Sequence, residues 1–309
     1  MILLWGAPGD APLDAVRAEL ERKGAEMFQF DQRLGAKTSV MLEVVSDGTV
    51  SGKIETPNEL LDLKSVRAAY IRPFETAKAS GASSLDDPAY LHAAATDVAM
   101  IAWANLTSAS VVNRPEAMTA NNSKPYQLSL ISGFGFHVPE TLVTTDAGAV
   151  RRFCARHQSV IYKSISGVRS IVSRLFATSA DALADVANCP TQFQEHVPGT
   201  DVRVHVIGES VIATEIKSTA DDYRYASRSG ADLMMSPTTV PEVIADSCRL
   251  MTRSMNLLFA GVDLRRTPDG RWYCFEVNPS SGFTFFEGIT RQPIADSVAD
   301  LLLRLDDSH

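Results

Sequence analysis

The chain opens on Ile2-Leu3-Leu4-Trp5, an apolar run that stops at Gly6-Ala7-Pro8-Gly9. A short continuous apolar run closed by turn residues predicts a buried strand. From Asp10 to Lys23 the period changes. Leu13, Val16 and Leu20 recur at helical spacing, with Gly24 as the stop, so a helix is predicted there. Phe28–Phe30 and Met41–Val45 read as the second and third strands of a small open α/β sheet. Ala68–Arg72 reads as another strand, ending at Pro73. Pro88–Ala104 is a long Ala-rich helix and Ser110–Val112 the strand after it. Asn113-Arg114-Pro115 marks a boundary, which sets a first domain at residues 1–114.

The pattern then mixes its periods. Ser123–Ile131 reads as a helix with Ser123 as N-cap and Pro125 in the first turn, broken by Gly133 and Gly135. Strands follow at Thr141–Thr144, Val160–Lys163 and Ser170–Phe176, with helices at Ala147–His157 and Ala180–Ala187. This α+β segment covers residues 115–192. The remainder, 193–309, is dominated by antiparallel strands. Thr191–His196, Asp201–Val206 and Ser210–Lys217 are strand-like, and Gly208-Glu209 is a hairpin signal. A helix spans Pro241–Met255. Phe259–Arg265 and Trp272–Val277 form a second hairpin around Pro268-Asp269-Gly270, and a last helix runs over Pro293–Leu305.

Composition adds exclusions. The 309 residues are 45% hydrophobic and 21% charged, ordinary for a globular chain. A formal charge of −8 disfavours a sequence-independent grip on nucleic acid or on an acidic membrane surface. Cys154, Cys189, Cys248 and Cys274 are far apart and form no CxxC pair, which excludes a zinc knuckle and a thioredoxin motif. They read as buried reduced thiols. Met1–Trp5 is too short for a signal segment, and no run approaches the ~18 apolar residues of a membrane span. A cytoplasmic protein is expected.

Four features carry candidate chemistry. Glu276 and Asn278, two apart in Phe275-Glu276-Val277-Asn278-Pro279, share one sheet face, and Asp263 on the neighbouring hairpin strand can point to it. Three hard oxygen donors there suit Mg²⁺ bridging nucleotide phosphates. A carboxylate between Phe275 and Val277 in an apolar strand fits poorly with a merely solvated sheet face. Second, Lys163 leaves an apolar strand into Ser164-Ile165-Ser166-Gly167-Val168-Arg169, where loop N–H groups and the ammonium can face an anion. It is not a Walker loop, and Gly6-Ala7-Pro8-Gly9 is not a dinucleotide fingerprint. Third, Gln194 to Arg203 is a strand, a turn and a strand whose backbone edge could pair with adenine, with Asp201 on a ribose hydroxyl; an ordinary β-connection reads equally well. Fourth, Arg203, Lys217, Arg224 and Arg228 are cations that either converge on transferring phosphate or pair with Asp221 and Asp222.

The order of these features resembles the ATP-grasp family, within it the ribosomal-protein glutamate ligases and the microviridin-type peptide macrocyclases. The similarity covers about residues 110–305 and rests most on Asn122-Ser123-Lys124 with Val138-Pro139-Glu140-Thr141, on Gln194 to Arg203, and on Phe275–Pro279. It implies an N-terminal small α/β domain, a central α+β lid and a C-terminal antiparallel-sheet domain. It implies ATP and Mg²⁺ as cofactors, with Lys124 and Lys163 on the phosphates and Gln194, Glu195 and Val197 as adenine hinge. Asp201 would touch the ribose, and Asp263, Glu276 and Asn278 would hold the metal. Arg203, Lys217 and Arg224 would steady an acyl phosphate or substrate carboxylate. The phosphate loop, with Ser166, carries one glycine, Gly167, and Arg169 adds charge. The implied activity is ligation of a carboxylate to an amine or hydroxyl through an acyl phosphate. The implied substrate is a peptide or small molecule carrying a carboxylate, and a homodimer through the first domain is a family-level expectation. The alternative is a nucleotide-binding homologue without turnover. Phe283, Phe285 and Phe286 are either core or the wall of an acceptor pocket.

Overall fold

The computed structural model describes residues 1–76, 84–165, 172–175, 183, 185–218 and 232–308. The opening apolar run is β1 (Ile2–Gly6), buried along its whole length, as a central parallel strand must be. It is flanked by β2 (Met27–Asp31) and β6 (Ala68–Arg72), and β7 (Ser110–Val112) closes a four-stranded parallel sheet in the order β2-β1-β6-β7. Helix α1 (Ala11–Arg22) starts where Asp10 accepts from the Leu13 N–H at 2.9 Å, an ordinary side-chain cap.

Met41–Val45 does not join that sheet. Its strand, β3 (Ser39–Val44), pairs antiparallel with β4 (Val50–Glu55), and β4 with β5 (Leu60–Asp62), in a separate three-stranded sheet. A parallel partner needs a crossover of a dozen or more residues. Only the short 3₁₀ segment Gln32–Lys37 separates β2 from β3, so the strand folds back on the hairpin at Asp47-Gly48 instead. Helix α2 (Pro88–Leu106) then leads into β7.

Helix α3 (Lys124–Ile131) begins at Ser123 as anticipated, but Ser123 makes no side-chain cap bond. The lid sheet has the order β10-β9-β11-β8, from β8 (Thr141–Thr144), β9 (Val160–Ser164), β10 (Ser173–Leu175) and β11 (Thr191–Glu195). Helix α4 (Ala147–Arg156) covers its back, where Val150, Phe153 and Phe193 are buried together. The expected boundary at 192/193 falls inside β11. Ser170–Phe176 is described only over Val172–Leu175. Of Ala180–Ala187 only residues 183 and 185–187 are described, with a 3₁₀ turn at Asp185–Asn188.

The last sheet runs β14-β13-β12-β15-β16. Its strands are β12 (Thr200–Ile207), β13 (Ser210–Ser218), β14 (Leu233–Thr238), β15 (Phe259–Arg266) and β16 (Trp272–Asn278). Gly208 takes the left-handed conformation that the β12–β13 hairpin requires, φ 56°. Helix α5 (Glu242–Ser254) packs on the face of Val202, Val204, Val206, Val262 and Leu264. On the other face, Ile207, Phe259, Phe283 and Phe286 join α7 (Ile294–Asp307) and the α1–β1 layer in one core. Phe283 and Phe286 are therefore core, while Phe285, in the short helix α6 (Thr284–Thr290), is exposed. The four cysteines are free thiols, but only Cys248 and Cys274 are buried. Cys189 is exposed and Cys154 half-buried. Burial pushes the Cys248 thiol up to about 12, so it is inert at neutral pH. Among the described residues no helix is long and apolar enough to cross a membrane.

Candidate active site

The lid sheet and the last sheet face each other across a cavity of about 110 Å³. Ile161, Val172, Ile216, Leu264 and Phe275 give it apolar walls, and Lys163, Gln194, Asp201, Asp263, Arg265 and Glu276 supply the polar groups. Apolar walls on which several charged and polar groups converge are the arrangement of a small-molecule site.

Register explains how the acids meet. Asp263 in β15 lies opposite Arg203 in β12 and opposite Glu276 in β16, and Gly261 lies opposite Asn278. A bulge between Asp263 and Leu264 shifts the pairing, so Phe275 and Glu276 both line the cavity although they are consecutive. Re-aiming a side chain in this way is a common use of bulges. Each carboxylate has a cation. Arg203 donates from Nη1 to Asp263 Oδ1 at 2.5 Å and from Nη2 to Ser281 Oγ at 2.9 Å. Lys124, almost fully buried at the start of α3, donates to Glu276 Oε1. Asn278 Oδ1 accepts from the Ser280 N–H at 3.0 Å. Among the described residues no three His, Cys, Asp or Glu side chains gather as a metal site. The set here is two carboxylates and an amide. All are oxygen donors, which fits a hard cation with substrate oxygens completing its shell.

The segment from Gln194 to Val197 is built differently on its two faces. Gln194 faces the cavity and donates to Thr141 Oγ1 at 3.0 Å. Glu195 points to the back of the lid sheet. There it accepts from the Glu140 N–H at 3.0 Å and lies 3.7 Å from His157 Nδ1. The Glu195 backbone N–H donates to the Glu140 carbonyl at 3.0 Å. The Val197 carbonyl accepts from Arg265 Nη1 at 2.8 Å, and Asp201 is gripped by the same guanidinium at 2.6 and 2.9 Å. Arg265 also stacks over Phe275, 5.2 Å from the ring centre. Sequence reasoning passed over Arg265, although its place two residues after Asp263 puts it on the same sheet face.

Lys217 is not brought in. It sits with Glu215 at 2.9 Å, two-thirds exposed, on the alternation that carries Ala213 into the α5 core. Ser166, Gly167, Arg169 and Arg224 lie outside the described residues.

A profile of the RimK-like ATP-grasp domain matches residues 123–302, more than half of the chain and all of the cleft. The chain belongs to the RimK-like ATP-grasp family. β-Citrylglutamate synthase B of Danio rerio is 25% identical over 225 residues, covering 68% of this chain and 54% of that protein. A probable alpha-L-glutamate ligase of Photobacterium profundum is 27% identical over 202 residues, 62% of this chain and 66% of the relative. The chain thus spans about half the length of the β-citrylglutamate synthase it matches. The ATP-grasp ligase PsnB, solved with a phosphomimetic variant of its minimal precursor, Mg and ADP, superposes with a TM-score of 0.83 at 28% identity, over 99% of this chain and 98% of PsnB. The macrocyclase MdnC of Microcystis aeruginosa, solved with its precursor peptide MdnA, superposes at 0.81 and 22% identity over 98% of this chain and all of MdnC, a likeness of fold. The ATP-grasp architecture anticipated from the order of motifs is the architecture found.

Proposed function

We propose that this ATP-grasp chain activates a carboxylate with ATP and joins it to an amine or hydroxyl. The observation that carries the reading is the facing pair Asp263 and Glu276, which line the cavity between the two sheets and are neutralised by Arg203 and Lys124. In this reading adenine lies between Ile161, Val172 and Leu264, with Gln194 and the backbone of Glu195 and Val197 at its edge. Asp201 faces the ribose, and Lys124 and Lys163 face the phosphates. Mg²⁺, held by Asp263, Glu276 and Asn278, would supply charge neutralisation on the phosphate oxygens.

A substrate carboxylate oxygen attacks the γ-phosphorus, the bond to the β–γ bridging oxygen breaks, and ADP leaves. The acyl phosphate formed is attacked at its carbonyl carbon by the amine or hydroxyl, which gives up its proton as phosphate departs. Arg203, anchored by Asp263 and Ser281, is placed to stabilise charge on the transferring group. No protein side chain need act as nucleophile.

The likeness to a ligase solved with a peptide precursor extends over 99% of the chain, with a TM-score of 0.83 at 28% identity. This favours a peptide carboxylate over a free amino acid. Four free cysteines and the ATP requirement suit the cytoplasm.

Incubation with Mg-ATP and candidate peptides should release ADP and phosphate. A product one water lighter marks crosslinking within a peptide; a gain of one residue marks extension. Asp263→Asn and Glu276→Gln should each stop ADP release while far-UV circular dichroism stays unchanged. Release of AMP and pyrophosphate would rule out the acyl phosphate, and nucleotide binding without any ADP across a broad acceptor screen would make the chain a binding homologue.

A further inference from the structure

Gln192 lies in the middle of β11 with no exposed surface, and neither its amide nitrogen nor its amide oxygen has a partner among the described residues. Burying an amide in this way is costly, and native folds rarely leave one unexplained. The next residue on the same face, Gln194, is satisfied by Thr141, so the face itself does not forbid pairing.

Strand alternation says where Gln192 points. Phe193 packs into the back core with Phe153, which turns Gln192 and Gln194 to the cleft side. The register sets Gln192 directly opposite Lys163, which lines the cavity. Side chains so paired start about 5 Å apart. A primary amide can join both sides of a lysine–phosphate contact, its oxygen as a further acceptor for the ammonium and its nitrogen as a further donor to the anion.

We propose that Gln192 is a further nucleotide-recognition residue. Its amide nitrogen donates to a phosphate oxygen held by Lys163, and its carbonyl oxygen accepts from the Lys163 ammonium. This rests on the ATP-binding reading above. It adds that the nucleotide-free fold carries an unsatisfied amide, which the phosphate of a bound nucleoside triphosphate satisfies.

The signature is a pair of effects with opposite signs. Gln192→Leu removes the orphaned polar group at similar volume, so the nucleotide-free protein should melt at the same or a higher temperature. Its affinity for Mg-AMP-PNP, measured by titration calorimetry, should fall about tenfold, the loss of one net hydrogen bond to a charged group. Gln192→Glu keeps the shape but sets a carboxylate against the phosphates, and should weaken binding further. A glutamine with a merely structural role would give a lower melting temperature and unchanged affinity in the leucine variant, and that result overturns the proposal. So does affinity within twofold of wild type in both variants. Wild-type protein that binds no adenine nucleotide would remove the ligase reading together with this one; tight wild-type binding with unaffected variants removes this one alone.

Discussion

Arg203 reaches Asp263 and Ser281 because Gly261 leaves room for it. A methyl group built on Gly261 would lie 2.3 Å from the guanidinium and 2.6 Å from Ser281 Oγ, closer than atoms can approach. Gly261→Ala must therefore displace Arg203 from the acid it holds. Loss of one preorganised charge-stabilising group typically costs about 100-fold in turnover, so ADP release should fall by about that factor with circular dichroism unchanged. Two residues further along β12, His205 is buried between Phe259 and Phe286, neither ring nitrogen partnered among the described residues. Burial, then the charge of Arg203, holds its pKa well below the ordinary 6.5. The unfolded chain binds that proton and the folded chain does not, so this stability is full above pH 6.5 and is lost as pH falls below it. Urea unfolding at pH 7.5 and 5.5 should show a smaller difference for His205→Phe than for wild type. At this scale the chain was readable where chemistry is written in residue type. Asp263, Glu276, Lys163 and Gln194, singled out by residue type and spacing, line one cavity. Glu195 and Lys217 depart from expectation because the face a strand residue takes depends on register, which residue type does not encode.

Between elements, the legible features were those with a strong local period. Helices α1, α2, α5 and α7 were anticipated to within a few residues. Strands β4, β5 and β14 were not, because their outward positions are exposed and mixed, with burial alternating weakly in β14 and confined to Leu61 in β5. The bulge that turns Phe275 and Glu276 to one side has no local signature either; it exists only against β15. The contact that holds β16 in place also crosses a long stretch of sequence. Buried Gln127 in α3 donates to the Val277 carbonyl at 2.7 Å and accepts from the Val277 N–H at 3.0 Å. It thereby completes the edge strand as a neighbouring backbone would. Gln127→Ala leaves two buried backbone groups unpaired. At roughly 1–2 kcal/mol each, destabilisation of about 2–4 kcal/mol is expected, seen as a lower denaturant midpoint at unchanged slope. The lysine that opens the same helix meets Glu276, so loosened β16 packing should also weaken nucleotide binding.

Across the whole molecule, the first and last segments share a core, which a division at residue 114 would not suggest. Leu4, Leu13, Val16 and Tyr70 from the start of the chain pack with Phe259, Phe283, Val298 and Leu302 from its end. Arg22 and Lys23 reach Asp296 at 2.7 and 2.8 Å, Lys23 reaches Asp300 at 2.6 Å, and the Met1 ammonium reaches Asp306 at 2.8 Å. Buried area and ion pairs are therefore rival explanations for what joins the two ends. The ion pairs lie at the surface, where salt screens them and side-chain ordering offsets their gain, so the apolar layer should dominate. Two measurements separate the contributions. Raising salt from 0.05 to about 0.5 M, enough to shrink the screening length below 5 Å, should move the melting temperature only slightly. Leu302→Ala, at a fully buried position, should cost about 2–5 kcal/mol. The decisive reading is the shape of the transition. If one core joins both ends, the leucine variant lowers a single melting transition, and with Trp272 replaced by Phe the N-terminal Trp5 and Trp103 report it at the same temperature as bulk helix loss. Two separated transitions would mean that the parallel sheet folds apart from the rest and that α7 only rests on it.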